Sequence, residues 1–399
     1  MTELRALLTP EGLELLDGLG PVDGVADVAR TVSRLRAAGH SPDLVSAVVG
    51  QAHLRARAAT KFGDFAARML FTRAGLEQAT RLAVAARHAQ RMRRSGITRV
   101  SDLGCGIGGD ALAFAAAGLD VTAVDADEVT AAIAAFNLAP FAETAAVRHG
   151  TAQDHVPAPA AGQAVWMDPA RRTSGHSETR RVSSDDYSPP LDWAYDVAGR
   201  IPTGIKLGPG HDRDALPSDA EAQWVSADGS VVELVLWTGA LARDGIRRSA
   251  LVIRGERSHE LTAAADAVDE PARALGAFVH EPDGAVIRAR LIGDVARSLD
   301  AGMLDEHIAY LTSDAALTSP FVQSFRVRET MPANPKAISA VLKAHGIGTL
   351  EIKKRGVDID PAAFRKKLAL RGDASATLFL TRIGDQRRAI LADRVPAAD

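Results

Sequence analysis

The densest chemistry in this sequence lies in V-S-D-L-G-C-G-I-G-G-D, Val100 to Asp110, followed by V-T-A-V-D-A-D from Val121 to Asp127. An apolar segment from Ile97 to Leu103 runs into a glycine turn and then into A-L-A-F-A-A-A, which has helix-forming composition. The glycines therefore lie on a strand–turn–helix corner. Such a corner is a nucleotide site. Gly104, Gly106 and Gly108 let the backbone approach a ligand with no Cβ in the way, and Asp125, at the tip of the second strand, can take both hydroxyls of a ribose. Two ligand classes compete for it. Parsed as G-x-G-x-x-G (Gly104, Gly106, Gly109), the turn suits a dinucleotide pyrophosphate on a helix N-terminus. Asp102, two positions before the first glycine, suits a cation instead. The α-amino group of S-adenosylmethionine is such a cation, and that cofactor has no pyrophosphate for the carboxylate to repel. Further on, A-V-W-M-D-P-A-R-R (Ala164 to Arg172) is an apolar run ending in Asp168-Pro169, where the strand after two more β-α units is expected to end.

These residues need a scaffold, and from Gly96 to about Gly255 the sequence alternates strand and helix patterns. Seven strands are expected: R-V-S-D-L, D-V-T-A-V-D, A-A-V-R-H, A-V-W-M-D, T-G-I-K-L, A-Q-W-V-S and V-V-E-L-V-L-W. That is an α/β fold with a doubly wound sheet, whose ligands sit beyond the C-terminal strand ends. Lys206 belongs to such an end, in I-K-L-G-P-G. Asp228-Gly229 reads as the turn of a β-hairpin. The polar stretch after Arg172 has almost nothing to bury and reads as a loop, to which Arg171, Arg172, Arg180 and Arg181 would give affinity for phosphate.

The motifs D-x-G-x-G-x-G, an acidic second-strand end and a strand ending in Asp-Pro resemble those of the class I S-adenosylmethionine-dependent methyltransferases. The resemblance covers residues 96 to 255 and implies a Rossmann-like seven-stranded core with S-adenosylmethionine as cofactor. It implies cofactor contacts at Asp102, Gly104, Gly106, Gly108 and Asp125. H-G-T-A-Q-D after the third strand resembles the motif that meets the adenine, which adds Asp154. The glycine loop is also similar to that of the trimethylguanosine synthase group, which pairs it with an N-terminal helical extension. That group follows its catalytic strand with Pro-Pro-Trp, whereas this chain has Asp168-Pro169-Ala170-Arg171.

Residues 1 to 95 show helical patterns, with Thr9 as cap before Pro10. Met69 to Ala89 reads as one helix with Thr72 as its cap. By likeness to the N-terminal extensions of some RNA methyltransferases it would lie across the cofactor pocket, bringing Thr72 and Gln78 to the cofactor. Residues 257 to 319 read as a connector, with a helix from Leu261 to Leu275. From 320 to 395 strands and helices alternate in a small α+β domain that resembles the THUMP-like domain found behind bacterial methyltransferases. Between Lys336 and Arg371, nine Lys or Arg face three acids, in a chain of formal charge −3. Lys353, Lys354, Arg355, Arg365, Lys366 and Lys367 are the residues expected on an RNA backbone, and the two resemblances together imply RNA, rRNA or tRNA, as partner.

The 399 residues hold 47 basic and 50 acidic side chains, which argues against a uniformly basic nucleic-acid binder. Cys105 is the single cysteine, and the 11 histidines form no H-x-x-x-H pair, so no metal is expected. No apolar run is long enough for a membrane span and the start lacks a signal peptide's pattern, so a cytoplasmic protein is expected.

For the reaction, Asp168, Pro169, Arg171 and Lys206 are the candidate catalytic set. Asp168 could accept a hydrogen bond from an exocyclic amine while Pro169 shapes the floor. Carbon-5 methylation of a pyrimidine needs a cysteine nucleophile, and Cys105 belongs to the cofactor loop. A second arrangement, Lys61, Asp168, Lys206 and Glu233, has the chain order of the tetrad in ribose 2′-O-methyltransferases, where a lysine removes the hydroxyl proton.

Overall fold

The structure is a computed structural model that describes residues 6–22, 24–171 and 186–396. It divides into two compact units, Met1–Gly208 with Val235–Arg243, and Pro209–Leu234 with Asp244–Asp399. Arg172, Arg180 and Arg181 lie outside the described residues.

The first unit opens with helices whose starts are set by side-chain caps. Thr9 Oγ1 accepts from the Gly12 amide ahead of α1 (Pro10–Asp17), and Ser41 Oγ from the Leu44 amide ahead of α3 (Pro42–Phe62), each with proline in the first turn. Helix α2 (Val25–Ala37) lies between them in the chain. The stretch Met69 to Ala89, expected as one helix, is two: α4 (Arg73–Gln78) and α5 (Leu82–Arg94). Lys61 shows why. Its ammonium donates to the carbonyls of Leu76 (2.8 Å), Glu77 (2.8 Å) and Ala79 (2.9 Å), which a continuous helix would have paired with amides one turn on. The break turns Thr80 into the interior, where it is buried.

Two side-chain amides hold the segment before α4. Asn137 Oδ1 accepts from the Leu70 amide (2.8 Å), and its Nδ2 donates to the carbonyls of Leu70 (3.0 Å) and Ile107 (2.9 Å). Gln51 treats Phe71 alike, accepting from its amide (3.0 Å) and donating to its carbonyl (2.7 Å). A backbone that belongs to no sheet is thereby satisfied.

Strands β1 (Arg99–Leu103), β2 (Asp120–Asp125), β3 (Ala145–His149), β4 (Gln163–Met167) and β7 (Thr203–Leu207) run parallel in the order β7-β4-β1-β2-β3. Helices α6 (Gly109–Ala116) and α7 (Glu128–Leu138) follow β1 and β2, and α8 (Leu191–Ala198) precedes β7. The short strands β5 (Ala170–Arg171) and β6 (Tyr187–Ser188) pair antiparallel. The helical N-terminal segment and the strands share one apolar core, from Leu7 through Phe62 and Phe114 to Trp166 and Trp237.

Strands β8 (Glu221–Ala227) and β9 (Ser230–Trp237) complete the seven expected strands. They are joined by Asp228 (φ 50°) and Gly229 (φ 82°), the two left-handed residues that a tight hairpin requires. Two strands are added beyond expectation: β10 (Arg248–Arg254), which pairs parallel with β8, and β11 (Arg257–Ala263), which pairs antiparallel with β10. The helix expected from Leu261 to Leu275 does not form. Its first residues pair antiparallel with β10, Arg248 opposite Ala263, and this ladder overrides an alanine-rich composition that Pro271 already interrupts.

Residues 257–319 are more than the expected connector. Strands β12 (Phe278–Pro282), β13 (Gly302–Asp305) and β14 (Ile308–Ser313) join β15 (Val322–Pro332), β16 (Ile347–Lys354), β17 (Ala374–Ile383) and β18 (Gln386–Arg394) in one sheet, ordered β13-β14-β12-β15-β18-β17-β16. Alternation sorts its faces. Leu378 and Leu380 join one apolar cluster with Ile338, Leu342 and Phe364, while Phe379 joins another with Tyr310 and Phe325. Side-chain caps set the helix starts here as well: Asn334 accepts from the Ala337 amide (2.9 Å), and Asp360 from the Ala363 amide.

Candidate active site

Register places the site. Leu103 pairs with Val124 on one side and with Met167 on the other, so the residues that follow, Gly104, Asp125 and Asp168, emerge at one level of the sheet edge. Met167 pairs with Ile205, which sets Lys206 beside Asp168 at the next step. Gly104, Gly106 and Gly108 all have positive φ (96°, 56° and 86°), the left-handed backbone that excuses glycine alone from strain.

Asp125 braces this loop. Its Oδ2 accepts from the Gly106 amide and its Oδ1 from the Asp127 amide, both at 2.9 Å. Burial outweighs these bonds and holds its carboxyl above the usual range. Asp102 is 1% exposed, and neither carboxylate oxygen has a hydrogen-bond partner among the described residues. Burial, reinforced by Asp110 and Asp168, pushes its carboxyl well above the ordinary value. A buried carboxylate with no donor is costly unless a cationic ligand meets it. The α-amino group of S-adenosylmethionine is such a ligand, so this residue set fits that cofactor. The buried Cys105 thiol is raised by burial and by Asp102 and Asp125, which makes it inert as a nucleophile.

Thr72 caps α4, accepting from the Gly75 amide at 2.9 Å. An added Cβ on Gly75 would come within 2.5 Å of Ile107 Cγ2, so α4 rests directly on the glycine loop. Gln78 and Asp154 are exposed, and the Asp154 carboxylate accepts from the Thr151 hydroxyl at 2.6 Å.

Asp168 meets Lys206, Nζ to Oδ2 at 2.5 Å. Pro169 behind it is buried, and the Arg171 backbone pairs with Tyr187. Lys206 Nζ also donates to Thr80 Oγ1 (2.9 Å), Thr80 Oγ1 donates to Asp110 Oδ2 (2.7 Å), and His88 Nδ1 lies 2.8 Å from Asp110 Oδ1. His88 stacks on Trp166, ring centroids 4.4 Å apart. Burial alone would raise the Asp110 carboxyl, but His88, Lys206 and Thr80 outweigh it and hold it below its ordinary value. Thr80, Asp110 and His88 are site residues that the sequence does not announce. An acid opening an otherwise apolar helix, and a histidine on the apolar face of α5, are their only marks in it.

Among the residues expected on RNA, Lys354, Arg365, Lys366 and Lys367 are exposed. Arg365 nevertheless donates to the Leu350 carbonyl. Lys353 is half-buried in ion pairs with Glu281 (2.7 Å) and Glu351 (3.3 Å), and Arg355 donates to the Ala309 carbonyl over the Tyr310 ring.

The order β3-β2-β1-β4-β7, a glycine corner after β1 and an acidic end on β2 define a class I, Rossmann-like methyltransferase core. Residues 322–394 match the THUMP domain-like family, and residues 1–58 match a domain of unknown function. Two proteins of Mycobacterium tuberculosis, strains CDC 1551 / Oshkosh and ATCC 25618 / H37Rv, are each named an uncharacterised S-adenosylmethionine-dependent methyltransferase. Both are 34% identical over 369 residues, covering 88% of this chain and 95% of theirs. A crystal structure of a candidate methyltransferase from Porphyromonas gingivalis W83 shares the fold, with a TM-score of 0.74 over 99% of each chain at 21% identity. The chain belongs to the S-adenosylmethionine-dependent methyltransferases. It is an enzyme whose cofactor is S-adenosylmethionine, with a THUMP-like domain behind its class I core. Among the described residues no helix is long and apolar enough to cross a membrane.

Proposed function

We propose that this enzyme methylates RNA, rRNA or tRNA, at an exocyclic nitrogen of a base, with Asp168 orienting the amine. The ion pair of Asp168 with Lys206 carries this reading. The bound cofactor supplies a methyl on a sulfonium, so an amine nucleophile needs its lone pair aligned more than it needs a base. Asp168, just beyond β4, accepts a hydrogen bond from the amine N–H and fixes the nitrogen's direction. Lys206 pairs with that carboxylate and orients it, and the buried Pro169 closes the floor. The inert Cys105 thiol argues against pyrimidine carbon-5 chemistry.

The ribose 2′-O reading is less well supported. It asks Lys61 or Lys206 to take a proton, yet Lys61 directs its protons to three backbone carbonyls and Lys206 donates to Thr80 beside Asp168. Glu233, its fourth member, is buried on β9. RNA as substrate rests on the local basic excess, on the exposed Lys354, Lys366 and Lys367, and on the THUMP-like likeness.

Incubation with methyl-labelled S-adenosylmethionine and total bacterial RNA, followed by digestion to nucleosides, tests the proposal. Label on a base amine, abolished by ribonuclease pretreatment, is the expected outcome. A 2′-O-methylnucleoside, or label that survives ribonuclease, overturns it.

A further inference from the structure

The chain of contacts behind Asp168 has a direction. An ionised carboxylate only accepts hydrogen bonds. Asp110 therefore takes the Thr80 hydroxyl proton at 2.7 Å, and against the same carboxylate the His88 proton sits on Nδ1, 2.8 Å away. With its proton committed to Asp110, Thr80 Oγ1 can meet Lys206 Nζ, 2.9 Å away, only as an acceptor. Lys206 then donates at both contacts, to Thr80 and to Asp168. Every donor and acceptor in this chain is complementary, and reversing any one would set two donors or two acceptors face to face.

We infer that Thr80 is a positioning residue for methyl transfer: its hydroxyl, held by the Asp110–His88 pair, fixes the Lys206 ammonium against the Asp168 carboxylate. The inference rests on the reading of Asp168 given above. Sequence position makes it specific. Thr80 occupies the break between α4 and α5, a break maintained by the three carbonyl contacts of Lys61, so the helical N-terminal segment sets the lysine of a strand. Asp110 stands in the first turn of the helix that leaves the glycine loop, and His88 is wedged between Asp110 and Trp166 of the catalytic strand. Without the hydroxyl, Lys206 would lose one of the points that fix its direction, and Asp168 would sample orientations that no longer align a nucleophile.

The test uses the full-length protein, 15N-labelled in its lysine side chains and saturated with S-adenosylmethionine. Lys206→Arg removes one ammonium signal and so assigns it. In the wild type and in Thr80→Ser, a hydrogen-bonded, slowly exchanging Lys206 ammonium signal is expected. In Thr80→Val, isosteric but without the hydroxyl, it is expected to vanish while the affinity for S-adenosylmethionine stays unchanged. A Lys206 signal that persists unaltered in Thr80→Val overturns the inference. Transfer to total bacterial RNA gives the second readout, in which kcat falls ~10–100-fold in Thr80→Val and is restored by Thr80→Ser. Loss of transfer in Asp168→Asn with Thr80→Val as fast as wild type overturns the positioning role alone. Full transfer in Asp168→Asn overturns the reading of Asp168 beneath it. Should wild type leave total RNA unlabelled, the RNA assignment falls, and the ammonium signal still decides the role of Thr80.

Discussion

Lys206 Nζ stands 2.5 Å from Asp168 Oδ2 because β4 and β7 are parallel neighbours whose register puts Met167 opposite Ile205. Two charged residues 38 positions apart thus become one unit at the sheet edge. Asp168→Asn keeps the shape and removes the charge, and is expected to lower transfer by about 10²-fold or more with little change in cofactor affinity. Lys206→Met is expected to cost less, since it loosens the acceptor without deleting it. Steady-state transfer beside calorimetric titration with S-adenosylmethionine separates the two effects. Equal cofactor weakening in both variants would move this pair from the reaction to cofactor binding.

Asp102 is expected to make cofactor affinity depend on pH. Its folded carboxyl is raised well above the ordinary range by burial and by Asp110 and Asp168, so it holds its proton to higher pH than an ordinary aspartate does. A cationic amino group binds the ionised form better, so binding releases a proton and affinity rises with pH through the raised pKa. Asp102→Asn is expected to weaken binding by about 1–3 kcal/mol at neutral pH and to flatten this dependence. Titration calorimetry in buffers of different ionisation enthalpy counts the released proton directly. An unchanged count in Asp102→Asn would exclude this carboxyl.

Gly75 reports how closely α4 rests on the cofactor loop. A Cβ there would stand 2.5 Å from Ile107 Cγ2 and 2.7 Å from Thr72 Oγ1, so Gly75→Ala is expected to cost about 1–3 kcal/mol and to weaken cofactor binding. Shortening Ile107 to alanine in the same chain should recover part of the loss, because the two changes meet at one point of packing. Additive losses in denaturant unfolding would contradict that packing.

In the THUMP-like domain, reversing Lys354, Lys366 and Lys367 together is expected to reduce RNA affinity and to flatten its salt dependence by about 0.7–0.9 for each phosphate no longer neutralised. Lys353→Glu belongs to a different class. Its ammonium pairs with Glu281 and Glu351, so reversal should lower stability before it touches RNA. Filter binding across a salt series, together with thermal melts, distinguishes the two.

His280 sits wholly inside the C-terminal sheet, with Nδ1 2.8 Å from Ser324 Oγ and Nε2 2.9 Å from Ser313 Oγ, and burial pushes its pKa down to about 4. The fold keeps the ring neutral while the unfolded chain protonates near the ordinary histidine value. Its stabilising effect is therefore complete above about pH 6.5 and is lost as pH falls towards 4, by an order of ~3 kcal/mol. Urea unfolding between pH 7 and 4.5 should show this slope, and His280→Asn should reduce it.

What the amino-acid order determined by itself was local. The glycines of the cofactor loop, the caps at Thr9, Ser41, Asn334 and Asp360, and the Asp228-Gly229 turn follow from backbone conformations that few residues adopt, so neighbours in the chain suffice to specify them. Alternating strands and helices likewise require a doubly wound sheet with ligands at its carboxyl edge. Tertiary structure decided the rest. The break before Leu82 depends on Lys61, which reaches carbonyls 15 to 18 positions away. The strand at Arg257–Ala263 exists because β10 offers it a ladder, against its own helical composition. Thr80, Asp110 and His88 meet Lys206 only after a helix, a glycine loop and a strand have packed together. Hydrogen-bond partners so distant in the chain leave no spacing pattern, and their polarity becomes legible only when the distances between them are known.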